Sequence, residues 1–363
     1  MRSVGVEEEL LLVDANSGEP RALSAAVLAS ATGTSGDTEE HGFEAELHRE
    51  QLEFATRPQT GMTELWNELR RWRREAAHHA GRLGAAVAAL ATSPLEASPS
   101  ISSEERYRWL QEQFGLTAQE QLTCGCHVHV SVASDEEGVA VLDRMRPWLP
   151  VLLALSANSP FWQGQDSRYG SYRSRVWGRW PSAGPAEMFG SAERYHAQVE
   201  AMLETGVLRD KGMIYFDARL SHKYDTVEVR VADVCLDPST TLLLAALTRG
   251  LVERAAQQWR AGEPPVPHGV GVLRLAAWRA ARSGLDGDLL HPLTMRPESS
   301  DSVVRALFEH VREVLDDGDR ALVEEGLQEL SRRGTGARFQ RELFRRTGSL
   351  RDVVVECARR TAG

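Results

Sequence analysis

The sequence predicts an α+β fold, an antiparallel β-sheet backed by α-helices, and three observations carry that expectation. The segments "VEEEL", "CHVHV" and "VEVRV" place acids, histidines or arginine at every second position, as on a strand with one face on a core and the other free for chemistry. Long stretches of helical periodicity separate them. No G-x-x-x-x-G-K-[ST] run occurs in the 363 residues, and a parallel dinucleotide-binding sheet fits the pattern poorly.

Taken in order, "SVGVEEELLLVD" has the length and apolar flanks of a strand, and "HGFEAELHREQLEFAT" (41–56) reads as a second extended element with a break in it. From Met62 to Leu90, the residues Leu65, Leu69, Trp72, Ala76, Leu83, Val87 and Leu90 recur at helical spacing. The expectation is one long amphipathic helix with a solvated Arg/Glu face. A Ser/Pro loop and a short helical piece through Tyr107 and Leu110 lead into "LTCGCHVHVSVA", a strand. "GVAVLDRMRPWLPVLLALSANSP" is helical with a break at Pro147. The aperiodic "FWQGQDSRYGSYRSRVWGRWPSAGP" is a long loop, and loops of that length in compact domains tend to be functional. "IYFDARLS" and "DTVEVRVAD" are strands, and Asp237-Pro238 opens a buried helix ending near Gly262. With no repeat or linker, residues 1–363 are expected to form a single catalytic domain, mainly helical from about residue 264.

Composition narrows the function classes. With 42% apolar and 26% charged residues the chain is an ordinary globular protein. Acids stand where a signal peptide needs an apolar run, and the longest apolar run, around "VLLALSA", is too short for a bilayer, so a cytoplasmic protein without membrane contact is expected. Four cysteines (Cys124, Cys126, Cys235, Cys357) without a CxxC pair suit a reducing compartment. A formal net charge of −10 argues against nucleic acid as a partner. Lys211 and Lys223 are the only lysines, so a phosphate grip must come from arginine, metal or backbone amides.

Strand parity organises the reactive residues. In "CGCHVHV" it sends Cys124, Cys126, Val128 and Val130 to one face and His127 and His129 to the other, so cysteines and histidines cannot share a tetrahedral zinc without a bulge. In "GVEEELL" it puts Glu7 and Glu9 together and turns Glu8 away. Residues two apart on a strand are about 6.6 Å apart, and such carboxylates can hold two ions roughly 4 Å from each other. Left bare, like charges near 4 Å repel by about 4 kcal/mol at an effective dielectric of 20. "TVEVRV" sets Glu228 beside Arg230, which alone is a half-buried strand with an ion pair but also suits a metal-bound phosphate. Glu44, Glu46, Glu50 and Glu53 lie between these strands, either as ligands or as a solvated edge. Carboxylates with a histidine suit Mg2+ or Mn2+ better than zinc.

The ordered set "GVEEE", E-x6-E (Glu46 to Glu53), "GCHVHV" and "TVEVRV" resembles the carboxylate-amine ligase family, or type 2 glutamate-cysteine ligases, and more distantly glutamine synthetase. The resemblance covers nearly the whole chain and implies a curved antiparallel sheet lining the active site, like the catalytic domain of glutamine synthetase. It implies metal ligation by Glu7, Glu9, Glu46, Glu53, His127 and Glu228, for two or more Mg2+ or Mn2+ ions. Arg230 matches the arginine that neutralises the transferred phosphoryl group, so Arg230, Glu228 and Glu53 are the expected catalytic group, with His129 and Arg230 near the nucleotide.

The implied chemistry has two steps. ATP converts a carboxylate into an acyl phosphate, which an amine then attacks to give an amide, ADP and phosphate. Family analogy suggests glutamate and, as one amine, cysteine; relatives suggest a homodimer. Arg168, Arg173 and Arg175 are candidate clamps for a substrate carboxylate, with Arg219 and Tyr224 as further contacts, and Trp162, Trp177 and Trp180 are candidate walls for an amine. The alternative is a metal-dependent amide hydrolase using the same acids and histidines without ATP. Cys126, where relatives often carry a polar residue, and "GTSGDTEEHG" depart from the family's pattern and leave the amine open.

Overall fold

The computed structural model describes residues 1–32 and 42–362; positions 33–41, most of "GTSGDTEEHG", and Gly363 lie outside the described residues. The strands of the main sheet are β1 (Val4–Asp14), β2 (Phe43–Ala45), β3 (Gln51–Ala55), β4 (Ala85–Ala88), β5 (Gly125–Ser131), β6 (Ala218–Leu220) and β7 (Thr226–Asp233). They pair in the order β2-β3-β1-β5-β7-β6, with β4 continuing the β5 edge of β1. Every pairing is antiparallel, as the alternation requires.

Register brings the reactive residues side by side. Glu9 pairs with Glu53, Glu7 with His127, and His129 with Glu228. A β-bulge interrupts β5-β7, where Arg230 and Val231 together oppose the single His127. Bulges bend a strand and re-aim its side chains, and this one sits beside the arginine of interest.

The other face of the sheet is apolar. Val4, Val6, Leu10, Leu12, Cys126, Val128, Val130, Val227 and Val229 are buried there in one continuous hydrophobic cluster with the helices Met62–Gly81, Leu149–Ser156 and Pro238–Arg260. The last of these is buried on every side from Thr240 to Val252, as its "LLLAAL" run predicts. No helix among the described residues is long and apolar enough to cross a membrane.

Two expectations need correction. The helix from Met62 ends at Gly81, not Leu90. Gly84 takes φ +69°, a left-handed conformation that breaks a helix, and Ala85–Ala88 forms β4 against β1. A short run such as "AAVAALA" is apolar all round, so periodicity alone does not separate a buried strand from a buried helix. Nor is the Arg/Glu face of that helix wholly solvated. Arg73 is 1% exposed and forks onto Glu8 with both contacts at 2.7 Å. Its remaining N–H groups reach the carbonyls of Leu236 at 2.9 Å and Cys235 at 2.7 Å, and Thr241 donates to Glu8 at 2.6 Å.

The long loop after Ser156 is irregular apart from a small hairpin and the short helix Arg173–Trp177. It is pinned by Asp233, whose carboxylate accepts from the Asn158 N–H (2.9 Å) and from the hydroxyls of Ser159 (2.7 Å) and Ser171 (2.8 Å). Asp237 occupies the expected N-cap position without making a capping bond; its carboxylate instead pairs with Arg333 and Arg360 of the C-terminal helices.

Removing one partner of a buried ion pair strands the other. Arg73→Met should therefore lower stability by about 3–5 kcal/mol, read as a reduced urea midpoint, and Glu8→Leu with Arg73→Met should recover much of the loss.

Candidate active site

A cavity of about 490 Å3 opens onto the polar face of β1, β3, β5 and β7. All six proposed metal ligands line it, namely Glu7, Glu9, Glu46, Glu53, His127 and Glu228, together with His129, Arg219, Tyr224 and Arg230. Strand parity accounts for most of this convergence. The turn between β2 and β3 supplies the rest, bringing Glu46 back over Glu53.

Glu7 lies between two imidazoles. His127 Nδ1 is 3.0 Å from one oxygen and His129 Nε2 is 3.2 Å from the other. Burial raises its pKa, but His129 and then His127 outweigh that and hold the carboxyl well below its usual range. Thr226 fixes His129 through Nδ1 at 3.0 Å. Glu228 is gripped from two sides: Arg219 reaches its oxygens at 2.8 and 3.1 Å, and Arg230 bonds to it through Nη1. Burial again raises the pKa, and Arg230 and Arg219 pull it well below normal.

Glu9 and Glu53 behave oppositely. Glu9 accepts the Gly125 N–H at 2.5 Å, yet burial and then the nearby Glu46 push its pKa up to about 7. Burial, then Glu46 and Glu7, drive Glu53 well above the usual carboxylate value. Glu7 and Glu228 bond directly to histidines or arginines; among the described residues Glu9 and Glu53 have no side-chain cation bonded to them, and at Glu9 the more distant Arg173 and Arg230 do not offset burial and Glu46.

Among the described residues, three groups bring ligand atoms within 4.8 Å of one another: Glu7 with His129 and Glu228, Glu7 with Glu53 and His127, and Glu9 with Glu46 and Glu53. Glu7 and Glu53 each belong to two groups. The donor sets are mostly carboxylate oxygen, and His127 Nε2 is buried with no hydrogen-bond partner among the described residues, an orphan that a cation would satisfy. Such sets fit Mg2+ or Mn2+. Cys124 and Cys126 stand outside these groups as buried free thiols, their pKa values raised chiefly by burial.

Other expected residues are placed differently. His129, expected only beside a nucleotide, also joins a candidate cation group. Arg173 is buried behind Gly125, where a Cβ would lie 2.2 Å from its guanidinium, so a glycine is needed for the close approach. Arg168 is exposed in a turn at φ +66°, its carbonyl tied to Arg282, and does not line the cavity. Arg175 is exposed on a separate, smaller cavity. In an aperiodic loop no repeat tells which arginine turns inward. Trp177 and Trp180 line the main cavity, whereas Trp162 packs against Tyr172 away from it. Arg106, Tyr107, Tyr215 and Lys223 also line it and escaped sequence reasoning, because each comes from a segment with no motif of its own. Lys223, one of the chain's two lysines, offered the one available signal.

An antiparallel sheet carrying this ordered set of acids, histidines and arginine on its open face defines a carboxylate-amine ligase. The chain belongs to glutamate-cysteine ligase family 2, whose family model matches residues 3–356. A relative from Streptomyces avermitilis, provisionally named glutamate-cysteine ligase 2-1, is 66% identical over the whole of both chains. Another from Streptomyces coelicolor, provisionally named glutamate-cysteine ligase 2, is 65% identical over 99% of both. The fold is similar to a crystal structure of glutamate-cysteine ligase from Francisella tularensis in complex with AMP. The TM-score is 0.72 at 13% identity, over 99% of this chain and 88% of that one.

The raised pKa values set the pH dependence of metal binding. Glu9 is neutral below about 7 and charged above, and the charged form binds a cation. Mg2+ or Mn2+ affinity should therefore tighten as pH rises through about 7, with proton release. Calorimetric titrations in two buffers of different ionisation enthalpy should give different apparent heats.

Proposed function

We propose that the chain uses ATP to activate the side-chain carboxylate of glutamate as an acyl phosphate and joins it to an amine, cysteine being the first to test. The observation that carries this reading is the overlap of three oxygen-rich candidate cation groups beside Arg230 on one sheet face. The provisional names of the relatives support the choice of glutamate and cysteine. Hydrolysis without ATP has no observation of its own in its favour.

Divalent cations, when bound, would supply charge compensation for the ATP phosphates, with Glu7, Glu9, Glu46, Glu53, His127 and Glu228 holding them and His129 beside them. Arg230 is poised for the transferring phosphoryl group. Its Nε is buried without a partner among the described residues, so its fork has capacity for an anionic oxygen. Arg219 also bonds to the carbonyls of Gly212 and Ile214, at 3.0 and 2.8 Å, which keeps it on Glu228. Trp177, Trp180 and Tyr215 wall the Arg230 end of the cavity and limit water that would hydrolyse an acyl phosphate.

The test is phosphate release from ATP and Mg2+ with glutamate alone, then with a panel of amines. Release that depends on glutamate and rises with one amine is expected. Glu9→Gln should lower it beyond the roughly 10- to 100-fold lost on mutating a supporting group, with the circular-dichroism spectrum retained. Full activity in that variant would overturn the metal assignment.

A further inference from the structure

A second cavity, of about 180 Å3, meets the first at Arg230 and Trp177, which line both. It lies among the helix Leu149–Ser156, the Arg173 loop and the helix Val270–Ser283. Its volume suits a small organic molecule, not a nucleotide.

The charges around it are unspent. Asp217 is half-buried, and among the described residues its carboxylate makes no hydrogen bond or direct salt bridge; Arg274 and Arg173 act on it only at longer range. Arg175 and Arg274 are exposed at the cavity, and among the described residues neither guanidinium makes a hydrogen bond or ion pair. Arg173 is 2% exposed; its Nε is orphaned, and its one side-chain hydrogen bond is a long contact of 3.5 Å to the Val231 carbonyl. A buried guanidinium so poorly satisfied is costly unless an anion completes it. Trp177 and Trp278 supply apolar wall.

A carboxylate without a hydrogen bond and two unbonded guanidiniums, Arg175 and Arg274, around a small cavity match a molecule carrying both an ammonium and a carboxylate. We infer that this cavity is the acceptor site and that its ligand is an α-amino acid, its carboxylate held by Arg274 and Arg175 and its amine by Asp217. The inference rests on the ligase reading and deepens it. The backbone agrees, since the Arg230 N–H donates to the Asp217 carbonyl at 2.9 Å, tying Asp217 to the strand that carries the phosphoryl arginine.

In the coupling step Asp217 takes one proton from the bound ammonium. The freed lone pair forms the C–N bond at the acyl carbon, and the C–O bond to phosphate breaks with its electrons leaving on phosphate. That phosphate takes the second N–H proton. Burial raises the Asp217 pKa to about 7, in keeping with a carboxylate that accepts a proton near neutral pH.

Hydroxylamine separates this inference from the reading beneath it. It is already neutral near pH 7 and carries no carboxylate, so trapping an acyl phosphate as the hydroxamate needs neither Asp217 nor Arg274. With ATP, Mg2+ and glutamate, wild-type protein should form hydroxamate and should prefer cysteine to cysteamine, its carboxylate-free counterpart. Absence of hydroxamate would overturn the ligase reading and this inference with it. Arg274→Ala, at an exposed position, should raise the KM for cysteine roughly tenfold, and Arg274→Ala with Arg175→Ala should erase the preference over cysteamine. Asp217→Asn should lower amide formation relative to hydroxamate formation by roughly 100-fold or more. If hydroxamate forms but cysteamine serves as well as cysteine, or the Arg274→Ala, Arg175→Ala double variant keeps the preference, or Asp217→Asn lowers both products alike, the acceptor site lies elsewhere.

Discussion

Crowding of carboxylates on one face of one sheet is the constraint on which the structure turns. Glu7, Glu9, Glu46, Glu53 and Glu228 line a single cavity, and neighbouring like charges there repel by several kcal/mol at the effective dielectric of protein sites. The protein resolves half of this itself. Glu7 has two histidines and Glu228 two arginines, which hold both carboxyls well below their usual pKa range. Around Glu9, Glu46 and Glu53 no arginine or histidine among the described residues bonds directly to a carboxylate; Arg173 and Arg230 act on Glu9 from farther off, and burial still drives the pKa of Glu9 and Glu53 upward. The site is thus divided into a portion neutralised by side chains and a portion that protons or cations must neutralise.

Holding repelling groups together requires a stiff support, and β1 carries it. The strand that turns Glu7 and Glu9 toward the cavity turns Glu8 into the helices, where Arg73, Thr241 and the carbonyls of Cys235 and Leu236 complete a satisfied network. Three consecutive acids therefore do two jobs by parity alone. Asp233, at the far end of β7, plays a similar part for the loop that delivers Arg173 and Trp177.

Period two made the strands and their faces legible, because one apolar face leaves little freedom of register. The two carboxylates of E-x6-E were legible only by resemblance, since their meeting depends on the turn between β2 and β3. What parity could not show is the bulge opposite His127, an irregularity in pairing that leaves no mark in one sequence. The helix boundary at Gly81 failed for a different reason, since "AAVAALA" satisfies a buried strand and a buried helix equally. The Arg/Glu face of that helix is expected to be solvated because helical arginines usually are; the burial of Arg73 depends on Glu8, 65 residues away. The loop arginines show the same limit. Arg173 and Arg175 are adjacent in type and spacing, yet only Arg173 finds the space left by Gly125.

The double grip on Glu228 bears on how such a site can work without unfolding locally. An arginine that leaves its buried carboxylate for a substrate anion ordinarily strands a charge, a penalty of several kcal/mol. Here Arg219 holds both oxygens of Glu228 and is itself anchored by two carbonyls, so Glu228 would stay compensated if Arg230 turned away. Arg230 also lies against the rings of Trp177 and Tyr215, 5.7 and 6.0 Å from their centroids, contacts that steady a guanidinium off its ion pair. In the proposed reaction the negative charge of the transferring phosphoryl would then replace that of Glu228 at Arg230 with little net change in local charge. A redundant cation on the carboxylate would allow Arg230 to be buried, paired and still available for that exchange.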